Sequence, residues 1–293
     1  MVIGIFLGLL SGVTLGTITS FAALSYEHGA TPIGLVFFRA IFALAVTLGL
    51  TLIRRENLII GHRGLIHAFL TGISLSLVGF GYMAAVAFIT PGLAVAVLYL
   101  FPLMVLAFES IGQRRLPSLM TFLSFTIALM GIITCLGLTS VSMDWRGIGF
   151  GLMAALGMAG YLLSSSRSSA EGFGYAPLVW ANVFVMLVAI VLVAVIPAGH
   201  EHLTLPASTT GKLAMMAAAA FYATGIILSF LALRFATAAM VALMMNVEPI
   251  TTLIAARLLV SEDLTWIQYM GMLIAIIGIS LGGFRRTPKY SHD

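Results

Sequence analysis

The chain has 293 residues, of which 61% are apolar and only 8% are charged, and its mean hydropathy is +1.13. Because soluble proteins carry about 25% charged residues, this composition excludes a water-soluble domain. The pI near 9.5 does not indicate nucleic-acid binding, because the basic residues stand singly or in pairs between apolar runs. The single cysteine, Cys135, lies inside an apolar run, which excludes a disulfide framework and a thiolate metal site.

The stretch from Gly64 to Phe108 indicates the class of the protein, because it contains no Asp, Glu, Lys or Arg in 45 residues. One helix of that length would measure about 68 Å, roughly twice the hydrocarbon thickness of a bilayer. The chain must therefore turn back, and Thr90-Pro91-Gly92 near the middle supplies a turn. The pattern predicts a transmembrane hairpin within an all-α integral membrane protein.

Charges, prolines and polar clusters divide the chain into apolar segments of about 18–25 residues, which is enough to cross a bilayer. The first segment has neither the charged start nor the cleavage site of a signal peptide, so we expect it to be a span. The sequence predicts ten transmembrane helices, at residues 2–25, 33–53, 65–89, 92–110, 118–138, 146–166, 175–197, 212–233, 236–256 and 264–284.

Lys and Arg are distributed unequally between the loops on the two sides of these spans. One side would carry ten of them, the other side only Arg146, Lys212 and Arg257, and Arg39 lies within a span. Since cytoplasmic loops are enriched in Lys and Arg, the richer side is predicted to be cytoplasmic. Both termini then lie in the cytoplasm.

The two halves of the chain are related by a nearly constant shift. A shift of 143 residues places the small-residue stripe of the first span, Gly4, Gly8, Gly12 and Gly16, on Gly147, Gly151, Ala155 and Ala159. A shift of 147 residues matches Phe88, Thr90 and Pro102 with Phe235, Thr237 and Pro249. The pattern indicates a duplication, with repeats at residues 1–140 and 141–286 and a cytoplasmic tail at residues 287–293.

Each predicted repeat has five spans, an odd number, so the second repeat is inverted in the membrane relative to the first. Two inverted repeats can exchange conformations and open a central cavity to one side and then to the other. A duplicated scaffold without transport is the alternative. For the small-residue stripes, both close helix packing and a surface along which helices slide are open interpretations.

Six side chains near the predicted bilayer centre are candidates for a substrate site. Polar groups at this depth are costly to bury, so they commonly mark a functional site. They are Tyr82, Tyr99, Met158, Tyr161, Tyr222 and Asn246. Such a set suits a ligand with an apolar part and a few hydrogen-bonding groups. A Tyr or Met at this depth can instead be a helix–helix contact, whereas an amide in lipid needs polar partners.

Pro102 and Pro249 occupy corresponding positions in the fourth and ninth spans. Each removes a backbone hydrogen bond in mid-span and frees a carbonyl group one turn earlier, at Leu98 and Met245. We expect paired kinks that shape the central cavity. Fixed kinks without a role in transport are the alternative.

Arg39 and Glu248 are two charged residues predicted to lie inside the hydrocarbon at similar depth. An ion pair between them would lower the cost of burying both charges. Alternatively, Arg39 binds a substrate carboxylate, or Glu248 titrates and couples transport to protons. A fourth alternative is that neither residue has such a role.

Other polar motifs give no evidence for catalysis or for a metal site. His200-Glu201-His202 has metal-binding residue types but lies in a long predicted loop, and Ser164-Ser165-Ser166 lies at the end of a span. The chain has no His-Glu-x-x-His, no Gly-x-Ser-Gly and no phosphate-binding loop. An intramembrane enzyme would need a nucleophile with a base, or a metal cluster, at membrane depth, where His67 stands alone.

The ends of the two repeats share short motifs. Each has Phe-x-Thr, then a mid-span proline, then an Ile-Ala-x-x-Gly-Ile span; the last runs from Ile127 to Ile132 and from Ile274 to Ile279. Together with ten spans in an inverted repeat, these motifs resemble the EamA-type drug/metabolite transporter superfamily. The second repeat also has the acidic turn of that superfamily at residues 261–265, from which residues 113–117 of the first repeat depart.

The resemblance covers essentially the whole chain and is nearest to the YddG-type amino-acid exporters of bacterial inner membranes. It implies a secondary transporter that exports aromatic and other neutral amino acids and needs no cofactor, metal or nucleic acid. Export of drugs or other small metabolites is the alternative within the superfamily. The sequence leaves the coupling ion and the oligomeric state open, and a monomer in the lipid bilayer is compatible with it.

The distribution of Lys and Arg predicts where both termini lie. A reporter tag fused at either terminus is expected in the cytoplasm, and the loop from Ala198 to Thr210 is expected to react with reagents added outside. Accessibility labelling in intact cells checks both expectations. An external C-terminus would contradict the inverted repeat as well as the orientation.

Overall fold

The computed structural model describes residues 1–136, 144–195, 203–259 and 264–283, and this part of the chain is helical, without a β-strand. Twelve helices follow one another in these ranges: α1 Val2–Glu27, α2 Pro32–Ile53, α3 His62–Val86, α4 Pro91–Leu98, α5 Phe101–Gln113, α6 Leu119–Cys135, α7 Trp145–Ala170, α8 Ala176–Val195, α9 Thr209–Ala232, α10 Ala238–Met245, α11 Glu248–Leu259 and α12 Trp266–Gly283. The predicted tail and the motif at residues 200–202 lie outside the described residues.

Several helices begin after a threonine whose side chain caps the first turn. Thr31, Thr90 and Thr237 each accept a hydrogen bond from the backbone N–H three residues later, at 3.2, 3.4 and 3.2 Å. The hydroxyl replaces one of the partners that the first N–H groups of a helix lack. The turn predicted at Thr90-Pro91-Gly92 is therefore the start of α4.

Seven helical segments are long and apolar enough to cross a membrane when α4 with α5, and α10 with α11, are each taken as one segment. Three further apolar helices, α6, α8 and α12, are shorter in the described residues. Helices of this length and hydropathy suit the hydrocarbon layer. The described chain is therefore a multi-pass helical membrane protein, as its composition predicts.

Two of the segments are interrupted ahead of Pro102 and Pro249, rather than simply kinked at these residues. The N–H groups of Leu100 and Val247 donate to carbonyl groups only three residues earlier, at 3.1 and 3.2 Å. Such tight turns end α4 and α10, and each proline then lies in the first turn of the next helix. The position suits proline because an N–H in the first turn would have no intrahelical partner.

The helix bounds repeat along the chain. α3, α4 and α6 begin at residues 62, 91 and 119, and α9, α10 and α12 begin at residues 209, 238 and 266, which is 147 residues later in each case. α7 begins and ends 143 residues after α1. These are the two shifts that relate the sequence motifs.

Helix packing follows the same correspondence. α3 packs along α7, and the corresponding helices α9 and α1 pack along each other. α3 also packs on α8, as α9 packs on α2, and α6 packs on its own counterpart α12. Exchanging each helix for its counterpart therefore reproduces the main packing pairs of the described structure.

The glycine stripe of α1 lies against the interrupted segment formed by α10 and α11. A Cβ atom at Gly12 would lie 2.6 Å from Cγ1 of Val247, and one at Gly16 would meet the carbonyl oxygen of Glu248. Only glycine allows the helices to approach so closely. The structure thus gives the small-residue stripe a packing role at the point where the facing helix is interrupted.

α6 and α12 also approach each other at glycines. A Cβ atom at Gly131 would meet the backbone nitrogen of Ala275, and one at Gly278 would meet the backbone nitrogen of Ala128. A backbone atom cannot move aside as the end of a flexible side chain can. Gly131 and Gly278 therefore set the distance between these two helices.

Gly131→Ala and Gly278→Ala are expected to destabilise the protein, because each added methyl group collides with a neighbouring backbone. Overpacking of this kind costs about 1–3 kcal/mol. Gly149→Ala is the matched control, since a Cβ atom at Gly149 on α7 would meet no atom within 4 Å. The melting temperature in detergent is the measurement, and equal values for all three variants would contradict the packing.

Candidate functional site

A cavity of about 320 Å³ lies between α2, α3, α8 and α9, toward the side of the membrane at which α2 begins and α3 ends. Its walls are mostly apolar and include Ile33, Val36, Phe37, Leu75, Phe80, Met83, Val185 and Val188. Sites for small molecules commonly combine such walls with a few polar groups. The cavity is therefore the candidate site for a substrate.

Arg39 is the only charged side chain among the residues that line this cavity. Its guanidinium carbon lies 4.6 Å from the centroid of the Tyr222 ring, which also lines the cavity. The missing side chain of Gly79 leaves room beside it, since a Cβ atom there would lie 3.7 Å from Nη2 of Arg39. A guanidinium group among apolar walls and an aromatic face is well suited to bind a carboxylate, because little water competes.

Glu248 begins α11, and its side chain interacts with the Tyr99 hydroxyl. The Tyr82 hydroxyl lies within electrostatic reach of both Glu248 and Tyr26, and Tyr26 lies within reach of Arg39. Tyr99 is therefore the side chain that contacts the carboxylate at the interrupted helix. The acidic group, Glu248, lies outside the residues that line the cavity, whereas the basic group, Arg39, lines it.

The expected ion pair between Arg39 and Glu248 is not formed in the described structure. Arg39 packs on the ring of Tyr222, and the partner of Glu248 is the hydroxyl of Tyr99. The two residues lie at similar depth along their helices, but similar depth does not fix the distance between α2 and α11. The interpretations in which Arg39 binds a carboxylate, or Glu248 couples transport to protons, are compatible with this geometry.

Asn246 is the C-cap residue that follows α10, and it is 1% exposed. Its Oδ1 atom is buried and has no hydrogen-bond partner among the described residues. A buried acceptor without a donor costs about 1–3 kcal/mol. Asn246 therefore offers an acceptor at the interruption of the helix, beside the carboxylate that begins α11.

Tyr161 and Met158 lie in the packed core rather than on the cavity, which favours the helix–helix alternative for both. Tyr161 is fully buried, its hydroxyl lies 2.6 Å from Oγ of Ser229, and it donates to the Ile226 carbonyl at 3.2 Å. Met158 is 8% exposed and belongs to the same apolar cluster. Because its hydroxyl is already satisfied, Tyr161 acts as a contact between α7 and α9.

The structure brings Arg39 and Tyr222 together on the cavity, but the apolar walls were not predicted. Val36 lies three residues before Arg39, so helical periodicity around the charge indicates this residue as a neighbour on the same face of α2. The sequence of α8 contains no comparable signal for the wall that this helix forms. Its residues there are apolar, and apolar residues are expected whether a helix faces lipid, protein or a cavity. Tyr82, Tyr99, Asn246 and Glu248 lie outside the residues that line the cavity.

The remaining polar motifs have structural roles or lie outside the described residues. Ser164 lies 2.9 Å from the Thr71 hydroxyl and joins α7 to α3. His67 contacts Glu171 at 3.2 Å. In the described ranges, no group of three or more His, Cys, Asp or Glu side chains could hold a metal ion.

Comparison with known proteins identifies the family. The EamA-like transporter family matches the chain twice, at residues 2–137 and 145–282. The chain belongs to the EamA-like transporter family. It is therefore a membrane transporter of small molecules rather than a member of an enzyme family, which agrees with its multi-pass helical fold.

A crystal structure of another protein has a similar fold. The similarity has a TM-score of 0.72 and covers 94% of this chain and 96% of that chain, with 17% sequence identity. At this identity the likeness concerns the fold alone. None of the curated proteins compared with the chain matches it.

Because Arg39 and Glu248 are not paired, their effects on stability are expected to be independent. Removing one partner of a buried pair costs about 3–5 kcal/mol, since the other charge is left uncompensated. Arg39→Met, Glu248→Gln and the double variant are therefore expected to give additive changes, within about 0.5 kcal/mol. Melting temperatures in detergent test this expectation. A double variant that is more stable than either single variant would instead support an ion pair between Arg39 and Glu248.

Proposed function

We propose that this transporter exports amino acids, aromatic and other neutral ones, from the cytoplasm by alternating access. The observation that supports this substrate class is Arg39, one cation in the wall of an otherwise apolar cavity. A single guanidinium group binds a single carboxylate, often through two parallel hydrogen bonds. A multiply anionic substrate would require more cations than the residues that line this cavity provide.

Two features of the cavity suit two parts of a neutral amino acid, its carboxylate and its side chain. Arg39 would bind the carboxylate, and apolar side chains such as Phe37 and Phe80 would contact the substrate side chain. Neither Glu248 nor Asn246 lines this cavity, since both lie where the helix is interrupted between α10 and α11. Such an interruption exposes polar groups at membrane depth, as in the discontinuous helices of other transporters.

The proposed topology has ten spans, arranged as two inverted repeats of five around the central region. The repeated helix bounds, the packing pairs that correspond under exchange and the two family matches support it. The repeats would be residues 1–140 and 141–286, followed by a cytoplasmic tail. Pro102 and Pro249 would then keep equivalent helices interrupted on both sides of the site.

The proposed location is the bacterial inner membrane, with both termini in the cytoplasm. The excess of Lys and Arg in the loops on one side, which is typical of cytoplasmic loops, supports the orientation. The inner-membrane location rests on the resemblance to bacterial exporters. In this orientation the cavity at the start of α2 and the end of α3 faces the outside. An exporter would release its substrate there.

Export of drugs or of other small metabolites is the second candidate function. The apolar walls of the cavity favour it, because they would accept a lipophilic compound without a carboxylate. For such a compound Arg39 would be a hindrance rather than a ligand. The two candidates therefore differ in what the loss of the Arg39 charge does.

Transport by the purified protein in proteoliposomes tests the proposal. The parent is expected to transport labelled phenylalanine and leucine. Arg39→Met is expected to reduce this transport by at least about tenfold, since a charged hydrogen bond contributes about 1.5–3 kcal/mol. Transport of phenethylamine, which lacks the carboxylate, is expected to change much less.

Arg146→Met is the matched control, because Arg146 also packs on an aromatic ring, that of Phe88 at 4.5 Å, but lies outside the cavity lining. Its transport rate is expected to equal that of the parent. Failure of the parent to transport any amino acid would contradict the proposal. Parent-like phenylalanine transport by Arg39→Met, with lipophilic compounds as substrates, would favour the second candidate.

A further inference from the structure

α5 and α10 pack against each other, whereas the corresponding pair, α4 and α11, forms no comparable packed surface in the described residues. The whole of α10 is buried, while α4 has only Ala94, Ala96 and Val97 buried. In the proposed topology α5 and α10 are the cytoplasmic halves of their spans, and α4 and α11 the external halves. The structure is then closed on the cytoplasmic side.

Glu109 connects the two packed halves. It lies on α5, and its Oε1 atom accepts a hydrogen bond at 2.9 Å from the N–H of Ala238, the first residue of α10. The N–H of Ala239 also donates to this carboxylate. The first N–H groups of a helix have no intrahelical partner and carry partial positive charge, so a carboxylate there stabilises the contact between the helices.

The other half of the chain cannot form the same contact. The shift of 147 residues that relates the repeats places Ala256 at the position of Glu109, so the carboxylate is missing. The same shift places Pro91 at the position of Ala238, and proline has no N–H to donate. The contact therefore stabilises only one of the two conformations that inverted repeats can exchange.

We propose that Glu109 is a latch that holds α5 against α10 and keeps the cytoplasmic side closed until the transporter reloads. The proposal rests on the inverted-repeat topology and on alternating access proposed above, but not on the identity of the substrate. Loading from the cytoplasm requires α10 to leave α5, which breaks both hydrogen bonds to Glu109. Removal of the carboxylate therefore shifts the population toward the conformation that is open to the cytoplasm.

Cysteine labelling measures this population without a substrate. Ala242 on α10 is fully buried, so Ala242→Cys in a Cys135→Ala background provides one thiol that reacts when α10 moves. Inside-out vesicles carrying this reporter are treated with a membrane-impermeant maleimide. The parent sequence at Glu109 is compared with Glu109→Gln, which keeps the side-chain volume, and with Glu109→Ala.

The labelling rate is expected to rise on the order of tenfold in Glu109→Ala and by a smaller factor in Glu109→Gln, since an amide oxygen accepts a weaker hydrogen bond than a carboxylate. Glu56→Gln is the matched control. Glu56 also accepts a hydrogen bond from a backbone N–H near a helix start, that of Tyr175, but does not connect α5 with α10. Its labelling rate is expected to equal that of the parent.

Unchanged labelling in both Glu109 variants, with melting temperatures like that of the parent, would overturn the latch. An equal increase in Glu56→Gln would also overturn it, because the effect would then be general loosening. Failure of amino-acid transport leaves this measurement valid, since the maleimide is the only reagent. Faster labelling from the opposite side of the membrane would support the latch but contradict the proposed orientation.

Discussion

In the hydrocarbon of a bilayer, each backbone N–H and C=O group must find its hydrogen-bond partner inside the protein. A continuous helix satisfies this constraint with its own hydrogen bonds. Where a helix is interrupted within a span, neighbouring helices must shield the backbone groups of the interruption from lipid. The interruption between α10 and α11 has such cover, because Gly12 and Gly16 let the backbone of α1 approach Val247 and Glu248 closely. The glycine stripe and the interrupted helix are therefore parts of one packing arrangement.

The same interruption explains why polar side chains can be placed at membrane depth. Asn246 caps the end of one helix and Glu248 begins the next, so both extend from backbone that is not committed to a continuous helix. Tyr99 is the residue that corresponds to Asn246 in the first half of the chain, and it interacts with the side chain of Glu248. The acidic group thus belongs to the packed centre, whereas the basic group, Arg39, lies in an apolar cavity between other helices.

The two halves of the chain have equivalent helices but differ in chemistry at equivalent positions. Equivalent helices share their bounds, yet Glu109 corresponds to Ala256, and Ala238 corresponds to Pro91. A contact that exists on one side only biases the exchange between conformations, because only a difference in free energy between two states shifts their populations. Sequence differences between the repeats are therefore the places where a direction of transport or a resting state can be set.

The class of the protein and the approximate positions of its helices could be predicted from the sequence. Hydropathy and proline positions decide these locally, and the helices from α1 to α12 lie where the apolar segments predict them. Which polar groups meet could not be predicted in this way: Arg39 packs on Tyr222 rather than pairing with Glu248, and the Tyr161 hydroxyl meets that of Ser229 within the core. The physical reason is that periodicity along one helix fixes depth and face, whereas distances between helices depend on how all of their surfaces pack together.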